Sequence, residues 1–96
     1  SSFCFDNAED MRAAFADETD ANIYTRFSNP TVQEFIDKVC VLEGAEAGFA
    51  TASGMSAVFA SFMALMKAGD HLVSCQSIFG STHTVITKIL PRYGIT

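Results

Sequence analysis

An α/β fold with a mainly parallel sheet and flanking helices is what this 96-residue sequence predicts, on three observations. Short runs of small or β-branched apolar residues alternate with amphipathic runs about 10–13 residues long. Gly, Pro or Ser-Gly marks nearly every change from one to the other. After an opening helical part, the order reads β-α-β-α-β, which calls for right-handed crossovers between parallel strands.

Residues 1–7 are short, aromatic and mixed, as in an extended segment. Ala8 to Phe15 is weakly helical, with Asp6 or Asn7 as N-cap. Residues 16–29 are polar and aperiodic, a long loop that carries Tyr24-Thr25-Arg26. Loops of that length in compact domains are often functional. Asn29-Pro30-Thr31 opens the strongest helix, because Pro in a first turn gives up an N–H that has no helical partner. Val32, Phe35, Ile36, Val39 and Leu42 form its apolar stripe, and Gly44 ends it. Ala47 to Ala52 reads as a short buried strand. Ser53-Gly54 breaks that strand, and a second helix begins near Met55 with Val58, Phe59, Phe62, Met63 and Met66 on one face. After Gly69-Asp70, the segment His71 to Cys75 reads as the next strand. Gly80 to Leu90 reads as a third helix stopped by Pro91, and Tyr93 to Thr96 as the start of a third strand.

Composition sets the limits. With 49% apolar and 18% charged residues the chain has the make-up of a folding sequence. It is rather apolar for its size: nine Phe and four Met predict faces that need further chain or another subunit to cover them. A formal net charge of −5 argues against a nucleic-acid or anionic-membrane surface, though not against a single local anion site. No apolar run nears the roughly 20 residues of a membrane span. Cys4, Cys40 and Cys75 are odd in number and show no metal-ligand spacing, which predicts free thiols in a reducing compartment, the cytoplasm. Cys40 and Cys75 are expected to pack as small hydrophobes. His71 and Cys75 lie on one strand face too far apart to chelate, so no metal site is expected. The opening Ser-Ser-Phe-Cys-Phe and the closing Gly94-Ile95-Thr96 look like cuts through a longer chain.

Three places carry chemistry. Thr51 to Ala57 sits where a buried strand gives way to a helix. The first N–H groups of such a helix lack intrahelical acceptors, the dipole favours negative charge there, and Gly54 offers backbone without a Cβ. The turn suits a phosphate, and it equally suits a plain connection that binds nothing. Neither a dinucleotide fingerprint nor a Walker A pattern is present. Tyr24 and Arg26 offer a phenol and a guanidinium fork that match a phosphate dianion; a solvated Arg in a polar loop is the other reading. Phe79 follows the second strand, at the strand end where α/β proteins bind ligands, and is read either as a ring that stacks on a planar group or as a core residue.

Taken in order, Tyr24-x-Arg26-x-x-Asn29-Pro30-Thr31, Leu42-Glu43-Gly44, Ser53-Gly54-Met55-x-Ala57, Gly69-Asp70-His71, Phe79-Gly80-x-Thr82 and Tyr93-Gly94-Ile95 resemble the Cys/Met-metabolism family of pyridoxal-phosphate (PLP) enzymes. The resemblance spans nearly the whole chain and is tight from Tyr24 onward. It implies a fold-type I PLP-dependent transferase. Residues 1–30 would form an N-terminal arm reaching a neighbouring subunit, and residues 31–96 the incomplete first part of the large PLP-binding domain. Ser53, Gly54 and Met55 would hold the phosphate of their own subunit, and Tyr24 and Arg26 that of the neighbour. That implies a homodimer with shared active sites, assembled into a tetramer, acting on a small amino-acid substrate. Phe79 stands where many members place a Tyr that stacks on the pyridine ring. This departure keeps the stacking and loses a hydroxyl. At that position the chain is similar to the homoserine-ester sulfhydrylases, more than to the γ-lyases or cystathionine γ-synthase. The family's cofactor-bearing lysine lies beyond residue 96, so no catalytic residue is assigned here. Thr87-Lys88 is set aside because Val85 occupies the Ser position of the family's Ser-x-Thr-Lys motif. An alternative of another class is a non-catalytic phosphate-binding or subunit-association piece.

Overall fold

The computed structural model describes residues 1–96 and divides them into two compact units, Ser1–Ala50 and Thr51–Thr96.

In the first unit, residues 1–3 run antiparallel to 23–25. Ser2 bridges Tyr24, and the Phe3 N–H donates to Ile23 O at 3.0 Å and the Thr25 N–H to Ser1 O at 2.9 Å. Helix α1 spans Ala8–Phe15. Of the two candidate caps Asn7 is the one used, its side-chain oxygen accepting the Asp10 N–H at 2.8 Å. Arg12 near the end of α1 forks between Glu9 and Glu18, at 2.6 and 2.9 Å. The pairing holds the Glu9 carboxyl below its ordinary range. Helix α2 spans Pro30–Glu43 with Pro in its first turn and Asn29 as cap, accepting the Thr31 N–H at 3.0 Å. Gly44 ends it at φ 64°, in the left-handed region that Gly enters without a Cβ penalty. Gly44→Ala is therefore expected to destabilise the protein by about 1 kcal/mol, read as a lowered unfolding midpoint in denaturant. The following segment folds back on α2 so closely that a Cβ at Gly48 would lie 3.0 Å from Cys40 Sγ. The predicted apolar stripe of α2 is nevertheless open: Phe35 is 62% and Leu42 85% exposed.

In the second unit, helix α3 spans Gly54–Leu65 and helix α4 spans Gly80–Thr84. The core is Val85, Leu90 and Ile95, packed by Met55, Phe59, Phe62 and Met66 of α3 and its C-cap, and by Leu72, Ile86 and Ile89. Val58 and Met63 belonged to the expected face of α3; the packed face turns instead through Met55, and Met63 is exposed.

The expected third helix does not stop at Pro91. After α4 the chain widens into a π-helical turn, Val85–Ile89, and tightens into a 3₁₀ turn, Leu90–Tyr93, with Pro91 in its first turn. Proline has no N–H and its ring crowds the carbonyl four residues back, so the α-helical ladder cannot run through it. The widened turn moves the hydrogen bonds out of that register, the Leu90 N–H donating to Val85 O. Gly94 at φ 76° then returns the chain.

None of the three predicted strands forms. A strand is defined by its partner, and Ala47–Ala52 and His71–Cys75 have no ladder beside them; Phe49 and Val73 are 90% and 85% exposed. One parallel rung is present. The Thr96 N–H donates to Asp70 O at 3.1 Å and the Leu72 N–H to Thr96 O at 2.7 Å, the two bonds that flank His71 in a parallel pairing. Cys75, expected to be packed, is exposed, while Cys40 is half-buried.

Candidate functional site

The turn into α3 is built by short-range hydrogen bonds. Thr51 Oγ1 donates to Ser53 O at 2.8 Å, and the Ala57 N–H donates to the same carbonyl at 3.1 Å. Ser53, extended at φ −155° and ψ 160°, caps α3 by accepting the Ser56 N–H on its hydroxyl at 3.1 Å. Two donors remain. The N–H groups of Gly54 and Met55 have no acceptor within the chain, and they point along a 12-residue helix whose dipole favours an anion at that end. A Cβ built on Gly54 would meet nothing within 4 Å, so the approach to these donors is open.

Met55 also links the turn to the next helix. Its Sδ lies 3.8 Å from Thr82 Oγ1, which ties the first turn of α3 to the first turn of α4. Phe79 is the N-cap of α4, and its carbonyl accepts the His83 N–H at 3.0 Å. Phe79 is 70% exposed within this chain. The two adjoining helix starts thus carry, in one unit, a pair of free N–H donors and a free aromatic face. Thr82, which makes the link, entered the sequence reading only as a motif position.

Tyr24 and Arg26 belong to the other unit. The Phe27 and Ser28 N–H groups both donate to Tyr24 O, at 2.9 and 3.1 Å, and close a tight turn around Arg26. Ser28 Oγ donates to Asn22 Oδ1 at 2.9 Å, and Asn29 Nδ2 to Thr25 Oγ1 at 3.2 Å, so the turn is fastened on both sides. Arg26 takes part in none of the ion pairs of the chain, which join Arg12 to Glu9 and Glu18, Lys38 to Glu34, and Lys67 to Asp70. Its guanidinium stands 5.5 Å from the Tyr24 ring centre and 4.8 Å from that of Phe27. Phe27, the other ring beside Arg26, was not singled out in the sequence. An aromatic directly after an Arg in an otherwise polar loop was the available signal.

Lys88 is exposed on the π-helical turn. No three His, Cys, Asp or Glu side chains group to hold a metal ion, and no helix is long and apolar enough to cross a membrane.

Comparison with known proteins gives the class. A family model described as Cys/Met metabolism PLP-dependent enzyme matches residues 1–96. O-succinylhomoserine sulfhydrylases of Pseudomonas aeruginosa and Mycobacterium tuberculosis are each 47% identical over 95 residues, covering 99% of this chain and 24% and 23% of theirs. An L-methionine gamma-lyase of Porphyromonas gingivalis is 40% identical over the same length, covering 24% of that protein. Among solved structures, a protein described as an O-acetylhomoserine (thiol)-lyase of Campylobacter jejuni, carrying N′-pyridoxyl-lysine-5′-monophosphate, superposes with a TM-score of 0.80 at 34% identity, over 99% of this chain and 24% of that one. These matches place the chain among PLP-dependent enzymes. It belongs to the Cys/Met-metabolism family of such enzymes, whose cofactor is pyridoxal phosphate, and it spans about a quarter of the length of these relatives.

Proposed function

We propose that this chain is the N-terminal part of a PLP-dependent sulfhydrylase that replaces the acyl group of O-succinyl- or O-acetylhomoserine with sulfide to give homocysteine. The observation that carries the reading is the 47% identity, over essentially the whole chain, to two O-succinylhomoserine sulfhydrylases, against 40% for the methionine gamma-lyase. Phe79 supports it, because the stacking ring is kept while the phenol of the lyase-like members is not.

The residues present fit the cofactor's chemistry. Two unpaired N–H groups at a helix start, with open space at Gly54, suit a phosphate. A cation without a counter-charge, next to a phenol, suits a second contact to one. In this reading Ser53 shapes the turn, and Gly54 and Met55 bind the phosphate of their own subunit. Tyr24 and Arg26, on an arm of residues 1–30, bind the phosphate of a neighbour. Phe79 lies against the pyridine ring and keeps water from that face. Residues 31–96 would be the first part of a fold-type I domain, whose parallel sheet is completed by later chain. The enzyme would be a cytoplasmic homotetramer built of dimers with shared sites. Bound PLP supplies an electron sink for the carbanion left when the Cα proton departs. The net change would be exchange of the acyloxy group on Cγ for sulfide, with the carboxylic acid released.

The test is the full-length enzyme with O-succinylhomoserine or O-acetylhomoserine and sulfide. Homocysteine and the free acid should form in equal amounts. Turnover of methionine to a thiol, ammonia and a 2-oxo acid as the faster reaction would establish a γ-lyase instead. Absence of both, with PLP bound, would favour a non-catalytic role.

A finer prediction concerns the phosphate turn. Gly54→Pro removes one donor at the first helical position, where Pro is tolerated and the preceding Ser53 is already extended. Apo-enzyme stability should hold, while PLP affinity by titration falls by about tenfold or more. An unchanged affinity would mean that this helix start is not the phosphate site.

A further inference from the structure

We infer that Phe27 is a positioning residue for Arg26: with Tyr24 it forms an aromatic clamp that fixes the plane of the guanidinium and leaves its N–H edges free for a phosphate. The inference rests on the phosphate-binding reading of Arg26 given above.

The turn at 24–27 sets up the clamp. Because the Phe27 N–H donates to Tyr24 O at 2.9 Å, the chain folds tightly and both rings come within reach of the Arg26 guanidinium. The guanidinium carbon lies 4.8 Å from the Phe27 ring centre and 5.5 Å from the Tyr24 ring centre, both within the range of cation–π attraction. Stacking uses the face of the guanidinium and none of its five N–H donors. A carboxylate partner would hold the group equally still, but it would consume those donors and cancel the charge. Arg26 has no such partner. The loop thus orients a cation without neutralising it, which a site for a dianion needs.

Phe27 lines an open hollow of its own unit together with Phe3, Phe5, Met11, Phe15 and Arg26. Phe27 is 71% exposed, and it lies in a loop otherwise fastened by polar groups, Ser28 to Asn22 and Asn29 to Thr25. Holding Arg26, a long side chain with much rotamer freedom, lowers the ordering cost of binding.

The experiment is PLP titration of the full-length apo-enzyme, followed by cofactor absorbance, for the parent, Phe27→Leu, Phe27→Tyr, Arg26→Ala and the double variant Arg26→Ala/Phe27→Leu, with apo-enzyme melting measured for each. Phe27→Leu should weaken PLP binding by about two- to fivefold, Phe27→Tyr should restore it, and Phe27→Leu should add nothing once Arg26 is gone. Apo-enzyme melting should stay within about 1–2 °C of the parent throughout, as for an exposed loop. If Arg26→Ala weakens binding and Phe27→Leu does not, the clamp is overturned and the phosphate reading stands. A loss with Phe27→Leu that persists in the Arg26→Ala background, or that Phe27→Tyr does not restore, also overturns it, because Phe27 would then act by another route. If neither single variant changes binding, the phosphate reading of Arg26 fails, and the clamp with it.

Discussion

Arg26→Ala in the full-length enzyme is expected to weaken PLP retention by about ten- to a hundredfold while leaving the melting of the apo-enzyme nearly unchanged. One charge-assisted contact to a phosphate contributes about 1.5–3 kcal/mol, and each 1.4 kcal/mol is a factor of ten. The folded loop does not depend on the guanidinium. Its closure uses backbone bonds to Tyr24 O and the side chains of Asn22, Thr25, Ser28 and Asn29. Removing Arg26 therefore leaves no buried group unpaired, and the two rings beside it stay solvated. Arg26→Lys should recover only part of the loss, because a point charge keeps the attraction but not the two-pronged geometry. The measurement is equilibrium titration of apo-enzyme with PLP beside a melting curve of the same sample. PLP affinity equal to that of the parent would remove Arg26 from the cofactor site. A large drop in apo-enzyme melting would make its role structural.

What the sequence disclosed and what it hid divide along the range of the forces involved. Helix ends are decided within four residues. Asn7 (with Asp6 as the alternative), Asn29-Pro30 and Gly44 were therefore readable as helix starts and stops and act so, whereas Ser53, read only as the end of a strand, caps α3. Strands are decided by partners far along the chain. Ala47–Ala52 and His71–Cys75 have the composition of buried strands, yet within these residues only the rung at His71 and Thr96 forms. That rung is parallel in direction, and with no sheet around it the predicted strand order is left as an expectation. Pro91 misled for a different reason. A proline forbids the α-helical bond, but it does not forbid a wider or tighter turn, and the core demand of Val85, Leu90 and Ile95 favours continuing the coil over ending it. Of the site, the residue types and the free donors at Gly54 and Met55 follow from local rules. The link from Thr82 to Met55 and the closeness of Phe27 to Arg26 depend on how the turns fold and not on local rules.

The isolated 96-residue chain should fail to behave as a well-folded monomer, and the surface it exposes gives the reason. It presents 7588 Å² for a mass of 10.3 kDa. A globular monomer of that mass exposes about 5,400 Å², and even two independent globules of half the mass would together expose about 6,500 Å². Only Ala14, Val85, Leu90 and Ile95 are buried, while Phe35, Val41, Leu42, Phe49, Leu65 and Val73 stand more than half exposed. Such a core cannot offset the ordering entropy of the chain, about 1–2 kcal/mol for each residue's backbone. The segments with strand composition add unpaired backbone groups that invite association. Sedimentation of the isolated chain should accordingly show self-association or an expanded species. Amide exchange should be fast through residues 47–96, apart from the few sites around Val85, Leu90 and Ile95. A sharp monomer boundary with slow exchange throughout 47–96 would show that this piece is a domain in its own right. The exposed apolar faces would then have to be explained without the remaining chain or a second subunit.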